Sequence, residues 1–307
     1  MNPIMRNYSD ENDFWLIRNF LREVLVINGL REFSWHVARL DYWRWHGIEN
    51  CHATDPVKEV TYIWETEERQ IVSVLNPEER GQVFLHVHPA FQTRQLEEEM
   101  IAVAEERLSA NRDGKRRLSI WADSQDALRL GILTGRGYAK GRWTENQWRR
   151  DLDGPIPEVS IAPGYTTRSL GDAGELPSRS WASWRGFHPK EQDGKYEGWE
   201  WYLNIQRCPL YRRDLDLVTV TGDVIAACAT FWYDDFTRTA MIEPVVTMPE
   251  HQRRGLARAI LTEGMWRLQR MGALRIFVSG FEDAPDALYA SVLSPTCDRL
   301  EEWVKVW

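Results

Sequence analysis

Two guanidinium groups, a glycine and a small residue fall together at Gln252-Arg253-Arg254-Gly255-Leu256-Ala257. That set suits a pyrophosphate. If the segment opens a helix, the first-turn N–H groups are unpaired and the helix dipole favours negative charge there. Gly255 and Ala257 let the backbone approach a ligand closely. Arg253 and Arg254 add charge-assisted donors. The spacing predicts the flanking elements. Thr239 to Thr247 reads as a strand. Leu256, Ile260, Gly264, Leu268 and Met271 form one stripe of a helix running to about Arg270, with Gly272 as its stop signal.

The rest of the chain divides at Asp153-Gly-Pro-Ile-Pro157, whose prolines and glycine read as a linker. Before it, Phe14, Ile17, Leu21, Val24 and Leu25 recur at helical spacing over 10–30. Val60–Trp64, Ile71–Leu75, Val83–Val87 and Leu118–Trp121 read as strands. Leu96, Met100, Val103, Ala104 and Leu108 mark a helix, Ala127–Leu133 a shorter one, and Trp143–Leu152 closes the half. After the linker, Tyr165–Leu170 is a predicted strand and 174–187 helical. His188 to Gly198 is a loop, and 198–210 a further helix. Leu215–Val220, Val224–Tyr233 and Thr239–Thr247 form a meander. Ala273–Val278 is a strand, Ala284–Leu293 a helix with Pro285 in its first turn, and Trp303–Trp307 a last strand.

The halves repeat. A shift of 160 residues carries Pro89 onto Pro249, Gln92 onto Gln252, Arg94 onto Arg254 and Leu96 onto Leu256. The order of elements matches as well. In the first copy, however, Gln95 stands for Gly255 and Glu97 for Ala257. A glutamate at the helix start repels a pyrophosphate, so one live copy is expected.

A strand followed by Gln-x-x-Gly-x-Ala resembles the acetyl-CoA signature of the GCN5-related N-acetyltransferase (GNAT) family, met here by Gln252, Gly255 and Ala257. The likeness covers most of the second half and, more weakly, the first. It implies an α/β (α+β) chain of two tandem acyl-CoA N-acyltransferase (GNAT) domains, each a mixed, mostly antiparallel sheet flanked by helices. Residues 1–152 would be the degenerate copy and 158–307 the catalytic one, an arrangement similar to that of the mycothiol synthases. The resemblance further implies that Gln252, Arg253, Arg254, Gly255, Leu256 and Ala257 bind the pyrophosphate of acetyl-CoA as cosubstrate. Val245, Val246 and Thr247 would offer backbone groups to the pantetheine arm between two splayed strands. Glu243 is the implied base and Tyr289 the implied acid that protonates the departing thiolate. One departure is Leu293-Ser294, where the family commonly has Gly-Phe. The implied activity is direct acetyl transfer to a small-molecule amine. The alternatives are a CoA-binding regulatory module without turnover, or transfer to a protein amine.

Composition narrows the setting. The 307 residues are 43% hydrophobic and 27% charged with a net charge of −8, which fits a soluble globular chain and disfavours nucleic acid or an anionic membrane as partner. No apolar run approaches a membrane span, and the N-terminus lacks the apolar core of a signal peptide. Cys51, Cys208, Cys228 and Cys297 are scattered, so a reducing cytoplasm is expected and neither a disulfide framework nor a metal site. His86 and His88 share a strand but have no third ligand nearby. The sixteen tryptophans imply large packing surfaces or a ring-lined pocket. Asp41-Tyr-Trp-Arg-Trp-His46 reads as packing rather than the lining of a cleft. The sequence leaves the oligomeric state open.

Overall fold

The computed structural model describes residues 3–307; Met1 and Asn2, at the start of the expected first domain, lie outside the described residues. The chain forms two compact units. One comprises the residues up to Gln147 with Ser279–Phe281 and Cys297–Trp307; the other comprises Trp148–Val278 and Glu282–Thr296.

The first unit opens with strand β1 (Ile4–Asn7) and helix α1 (Glu11–Ile27). Asp10 caps α1 by accepting from the Asn12 N–H at 2.9 Å. The predicted stripe is its buried face: Phe14, Ile17, Leu21, Val24 and Leu25 are at most 3% exposed. Helix α2 (Val37–Tyr42) runs into a π-helical turn over Trp43–Ile48. Asp41 is buried in an ion pair with Arg18 of α1, and Trp43 and Trp45 are also buried, so this cluster is packing, as its composition indicates. After the short α3 (Val57–Val60), strands β2 (Tyr62–Glu65), β3 (Ile71–Glu79) and β4 (Gln82–Val87) pair antiparallel in sequence order. Helix α4 (Arg94–Arg107), β5 (Ala110–Arg112), β6 (Lys115–Asp123), α5 (Ala127–Gly135) and β7 (Ala139–Asp151) follow, the last four residues of β7 belonging to the second unit. The crossover through α4 returns the chain parallel to β4, but only Gln82–Phe84 and Ser119–Trp121 pair.

The second unit repeats the plan. Its strands are β8 (Thr166–Ser169), β9 (Asp216–Thr221), β10 (Val224–Asp234), β11 (Thr239–Thr247) and β12 (Arg275–Gly280). Its helices are α6 (Leu176–Phe187), α7 (Trp201–Ile205), α8 (Leu256–Arg270) and α9 (Asp283–Val292). Strands β8 to β11 are antiparallel neighbours, and β11 runs parallel to β12 over Thr239–Met241 and Arg275–Phe277 alone. Each unit therefore has a parallel pair that meets for three residues and then parts.

Strand β10 is buried from Ile225 to Asp234, as expected of a strand packed on both faces. Two glycines allow the helices to sit close. A Cβ on Gly264 of α8 would collide with the Phe231 ring, and one on Gly186 of α6 would collide with Val246. The predicted helix over 198–210 is shorter than its pattern. Only Trp201–Ile205 is α-helical, and the chain on either side continues in tighter turns, with the Tyr202, Leu203, Arg207 and Cys208 N–H groups donating to the Trp199, Glu200, Asn204 and Ile205 carbonyls. Buried Asp216 accepts from Tyr202 at 2.5 Å, Arg179 at 2.9 Å, Tyr211 at 3.0 Å and Thr230 at 3.2 Å. The hub ties α6 and α7 to β9 and β10.

The last strand, β13 (Cys297–Val306), starts six residues earlier than Trp303 and belongs to the first unit. It pairs antiparallel with β6 from Leu300–Asp123 to Val306–Arg117. The resemblance places these residues with 158–307.

Candidate functional site

Strand β11 leaves β12 after the Met241–Phe277 pair, so its remaining residues, Ile242–Thr247, run on beside β10 alone. A bulge interrupts that ladder: Ala229 faces Val245 but Phe231 faces Ile242, leaving Glu243 and Pro244 opposite Thr230. Pro244 has no N–H to give to the ladder, which suits the bulge. The buried Trp232 indole donates to the Glu243 carbonyl at 2.6 Å and fixes the bulge. The Glu243 residue itself is half-buried.

The chain then turns through Pro249–His251 into the loop. Gln252 donates from Nε2 to the Thr247 carbonyl at 3.2 Å, which closes the loop against the end of β11. Arg253 and Gly255 take left-handed φ values of 63° and 76°. Gln252 to Gly255 are exposed. Helix α8 starts at Leu256 with no side-chain cap and no acidic residue in its first turn. Its leading N–H groups have no intrahelical acceptor, and among the described residues no other backbone acceptor serves Arg253 to Arg258 outside the helix. A Cβ on Gly255 would meet nothing within 4 Å. Donors, positive charge and open space therefore coincide, which fits an anionic ligand of pyrophosphate type.

The same place in the first unit is filled. Thr93 caps α4 by accepting from the Leu96 N–H at 3.2 Å. Arg94 is neutralised by Glu98 at 3.1 Å. Glu97 is fully buried and accepts from Arg129 of α5 through both oxygens at 3.0 Å, and from Gln92 at 2.8 Å. The Arg129 guanidinium also donates to the Leu85 carbonyl at 3.1 Å, just past the point where β4 leaves β6. A side-chain ion pair thus takes up a β4 carbonyl just beyond the point where the strands part, and the first-copy glutamate anchors the guanidinium that does so.

Tyr289 lies on α9 and is 7% exposed. Burial pushes its phenol well above the ordinary 10, and the nearby Glu243 and Asp286 carboxylates push it further. The hydroxyl is therefore held protonated. Arg258 of α8 donates to Ser291 Oγ of α9 at 2.7 Å, joining the loop helix to the helix that carries Tyr289. Nothing in the sequence singles out Trp232, Gly186, Arg258 or His251. The same holds for Tyr165, whose hydroxyl accepts from Arg254 at 3.0 Å. Tyr165 is separated from Arg254 by 89 residues, and nothing local marks it.

The remaining signals are structural. His86 is buried with its imidazole pushed down to about 3 by burial and by Arg129 and Arg39. His88 accepts from the Ala90 N–H at 3.1 Å as a cap. Burial pushes the Cys228 thiol up to about 11. Among the described residues there is no cluster of three His, Cys, Asp or Glu side chains suited to a metal ion, and no helix long and apolar enough to cross a membrane.

Comparison with known proteins agrees with this geometry. The profile of the acetyltransferase (GNAT) family matches residues 177–290. No curated protein matches the sequence significantly. Among solved structures, a GCN5-related N-acetyltransferase from Sphaerobacter thermophilus superposes with a TM-score of 0.67 at 16% identity, covering 99% of this chain and 95% of its own. A tandem GNAT protein from the clavulanic acid biosynthesis pathway gives 0.66 at 12% identity, covering 99% and 98%. A GNAT-family acetyltransferase from Colwellia psychrerythraea gives 0.61 at 11%, covering 98% and 100%. The chain thus shares the tandem fold along its whole length.

Proposed function

We propose that this chain, whose second half carries a domain of the acetyltransferase (GNAT) family, is an acetyl-CoA-dependent N-acetyltransferase acting on a small-molecule amine. The observation that carries the reading is the start of α8. It is uncapped, free of acid and led by Gly255, and it sits at the end of the strand that parts from β12. Its counterpart, α4, is capped, acidic and filled.

In this reading the amides of Gln252–Ala257 with Arg253 and Arg254 hold the pyrophosphate. Val245, Val246 and Thr247 present backbone groups to the pantetheine amides. Glu243 takes a proton from the acceptor ammonium, directly or through water. The amine nitrogen attacks the thioester carbonyl; the C–N bond forms, the C–S bond breaks, Tyr289 gives its proton to the sulfur, and the second proton shed by the nitrogen restores the Tyr289 phenol. Both substrates are bound together, so much of the rate gain is orientation. Acetyl-CoA is a cosubstrate and no metal takes part. The reaction belongs to the cytoplasm in this proposal, with the first half as the degenerate copy.

Calorimetric titration with acetyl-CoA tests the reading, for the native protein and for Gly255→Glu. One site per chain, lost in the variant, supports it; no binding sinks it. Thiol release over a panel of amines then separates an enzyme from a CoA-binding module without turnover, the alternative raised by Leu293-Ser294. A panel including peptide N-termini and lysines separates small-molecule from protein acceptors.

A further inference from the structure

Arg254 of the loop is held by a neutral group, whereas its first-unit counterpart Arg94 is held by an acid. Arg254 donates to the Tyr165 hydroxyl at 3.0 Å and to the Glu250 carbonyl at 3.4 Å. The Tyr165 hydroxyl also pairs with His251 Nδ1 at 2.9 Å, and the two rings meet edge to face at 5.9 Å. Tyr165 is itself anchored, packed against Ala226, Ala227 and Leu256. Its phenol thus reaches from the start of the second-unit sheet to the loop. Arg94, the counterpart of Arg254, is instead paired with the Glu98 carboxylate of its own helix. The residue that follows Arg254 at the same spacing is Arg258, not an acid. An ion pair like that of Arg94 cancels the charge a phosphate would feel. A neutral hydroxyl restricts the guanidinium and leaves its charge in place.

We infer that Tyr165 is a positioning residue for phosphate binding: its hydroxyl, oriented by His251, holds the Arg254 guanidinium over the mouth of the Gln252–Ala257 loop with its charge uncompensated. The assignment rests on reading that loop as the CoA pyrophosphate site. It predicts that Tyr165 matters only for ligands that carry phosphate, and only while Arg254 is present.

A double-mutant cycle tests this with two ligands. Tyr165→Phe, Arg254→Ala and the double variant are titrated with acetyl-CoA and with S-acetylpantetheine, which lacks the phosphates. Tyr165→Phe keeps the ring and its packing, and its melting temperature reports on folding. The expected result is a loss of acetyl-CoA affinity of about fivefold in Tyr165→Phe, the order of one net hydrogen bond. S-acetylpantetheine should bind Tyr165→Phe and the native protein alike, and Tyr165→Phe should cause no further loss in the Arg254→Ala background. An equal loss for both ligands, the same loss with and without Arg254, or no loss would overturn the assignment while leaving the acetyltransferase reading intact. If the native protein fails to bind acetyl-CoA, both fall.

Discussion

Arg129 and Glu97 form a two-point ion pair at 3.0 Å in the first unit, with Arg129 6% exposed and Glu97 fully buried. The pair stands where the second unit has an open loop. Removing one partner leaves a buried charge without compensation. Arg129→Met should therefore cost about 3–5 kcal/mol of stability. Glu97→Gln with Arg129→Met should recover most of that loss, because two apolar or neutral groups carry little desolvation cost. Urea midpoints of the two variants check this. A single variant as stable as the native chain would show that the pair carries no such cost.

The second-unit loop should respond to charge more than to size. A Cβ on Gly255 meets nothing within 4 Å, but its φ is 76°. Gly255→Ala then pays only the left-handed backbone strain, about 1–2 kcal/mol. Gly255→Glu adds a carboxylate beside unpaired amides that would otherwise take a phosphate. Acetyl-CoA affinity should drop by less than tenfold in the first variant, a shift of under about 1.4 kcal/mol, and vanish in the second. Equal losses would mean that backbone shape, not electrostatics, governs the loop.

Much of this was readable in advance because it is local. Strand Thr239–Thr247 and helix Leu256–Arg270 have the bounds that apolar periodicity and the glycine stop predict. The repeat was visible as shared spacing between Pro89 and Leu96 and between Pro249 and Leu256, and the three-residue parallel pairs in both units agree with it. What was hidden is non-local. Glu97 stood out as an acid in the wrong place, but its partner Arg129 lies 32 residues away. Strand β13 looked like the end of the second half, yet it pairs with β6. Its buried Glu302 accepts from Ser119, 183 residues distant, at 2.7 Å. The Asp216 hub likewise gathers Arg179, Tyr202 and Thr230 from three elements and Tyr211 from a loop, with no shared motif.

Glu32 gives a prediction about pH. It is 7% exposed, and burial followed by the Glu145 carboxylate pushes it up from the ordinary 4.5 to about 8. The folded chain thus holds a proton that the unfolded chain has already released. A raised folded-state value means that stability is fully present below 4.5 and is lost as pH rises through 8. The decline should approach about 1.4 kcal/mol per pH unit from this group. Glu32→Gln should flatten it, so the variant gains on the native protein between pH 5 and 8. Parallel slopes for the two proteins in urea titrations would show that Glu32 is ionised in the fold.

Tyr289 and Glu243 should separate in kinetics. Burial and the Glu243 and Asp286 carboxylates hold the Tyr289 phenol well above its ordinary 10. The acid form therefore persists through the alkaline range, and turnover should show no fall near pH 10 from this group. Tyr289→Phe removes the proposed proton donor but keeps the ring, so on that reading kcat should drop by about 10²-fold, the lower end for a general acid, with KM for acetyl-CoA unchanged. Glu243→Gln removes the proposed proton acceptor instead. Its kcat should also fall, and the acidic limb of the native pH profile should disappear with it. A Tyr289→Phe enzyme with native turnover would mean that the thiolate leaves unaided. A Glu243→Gln enzyme that keeps the acidic limb would place the base elsewhere.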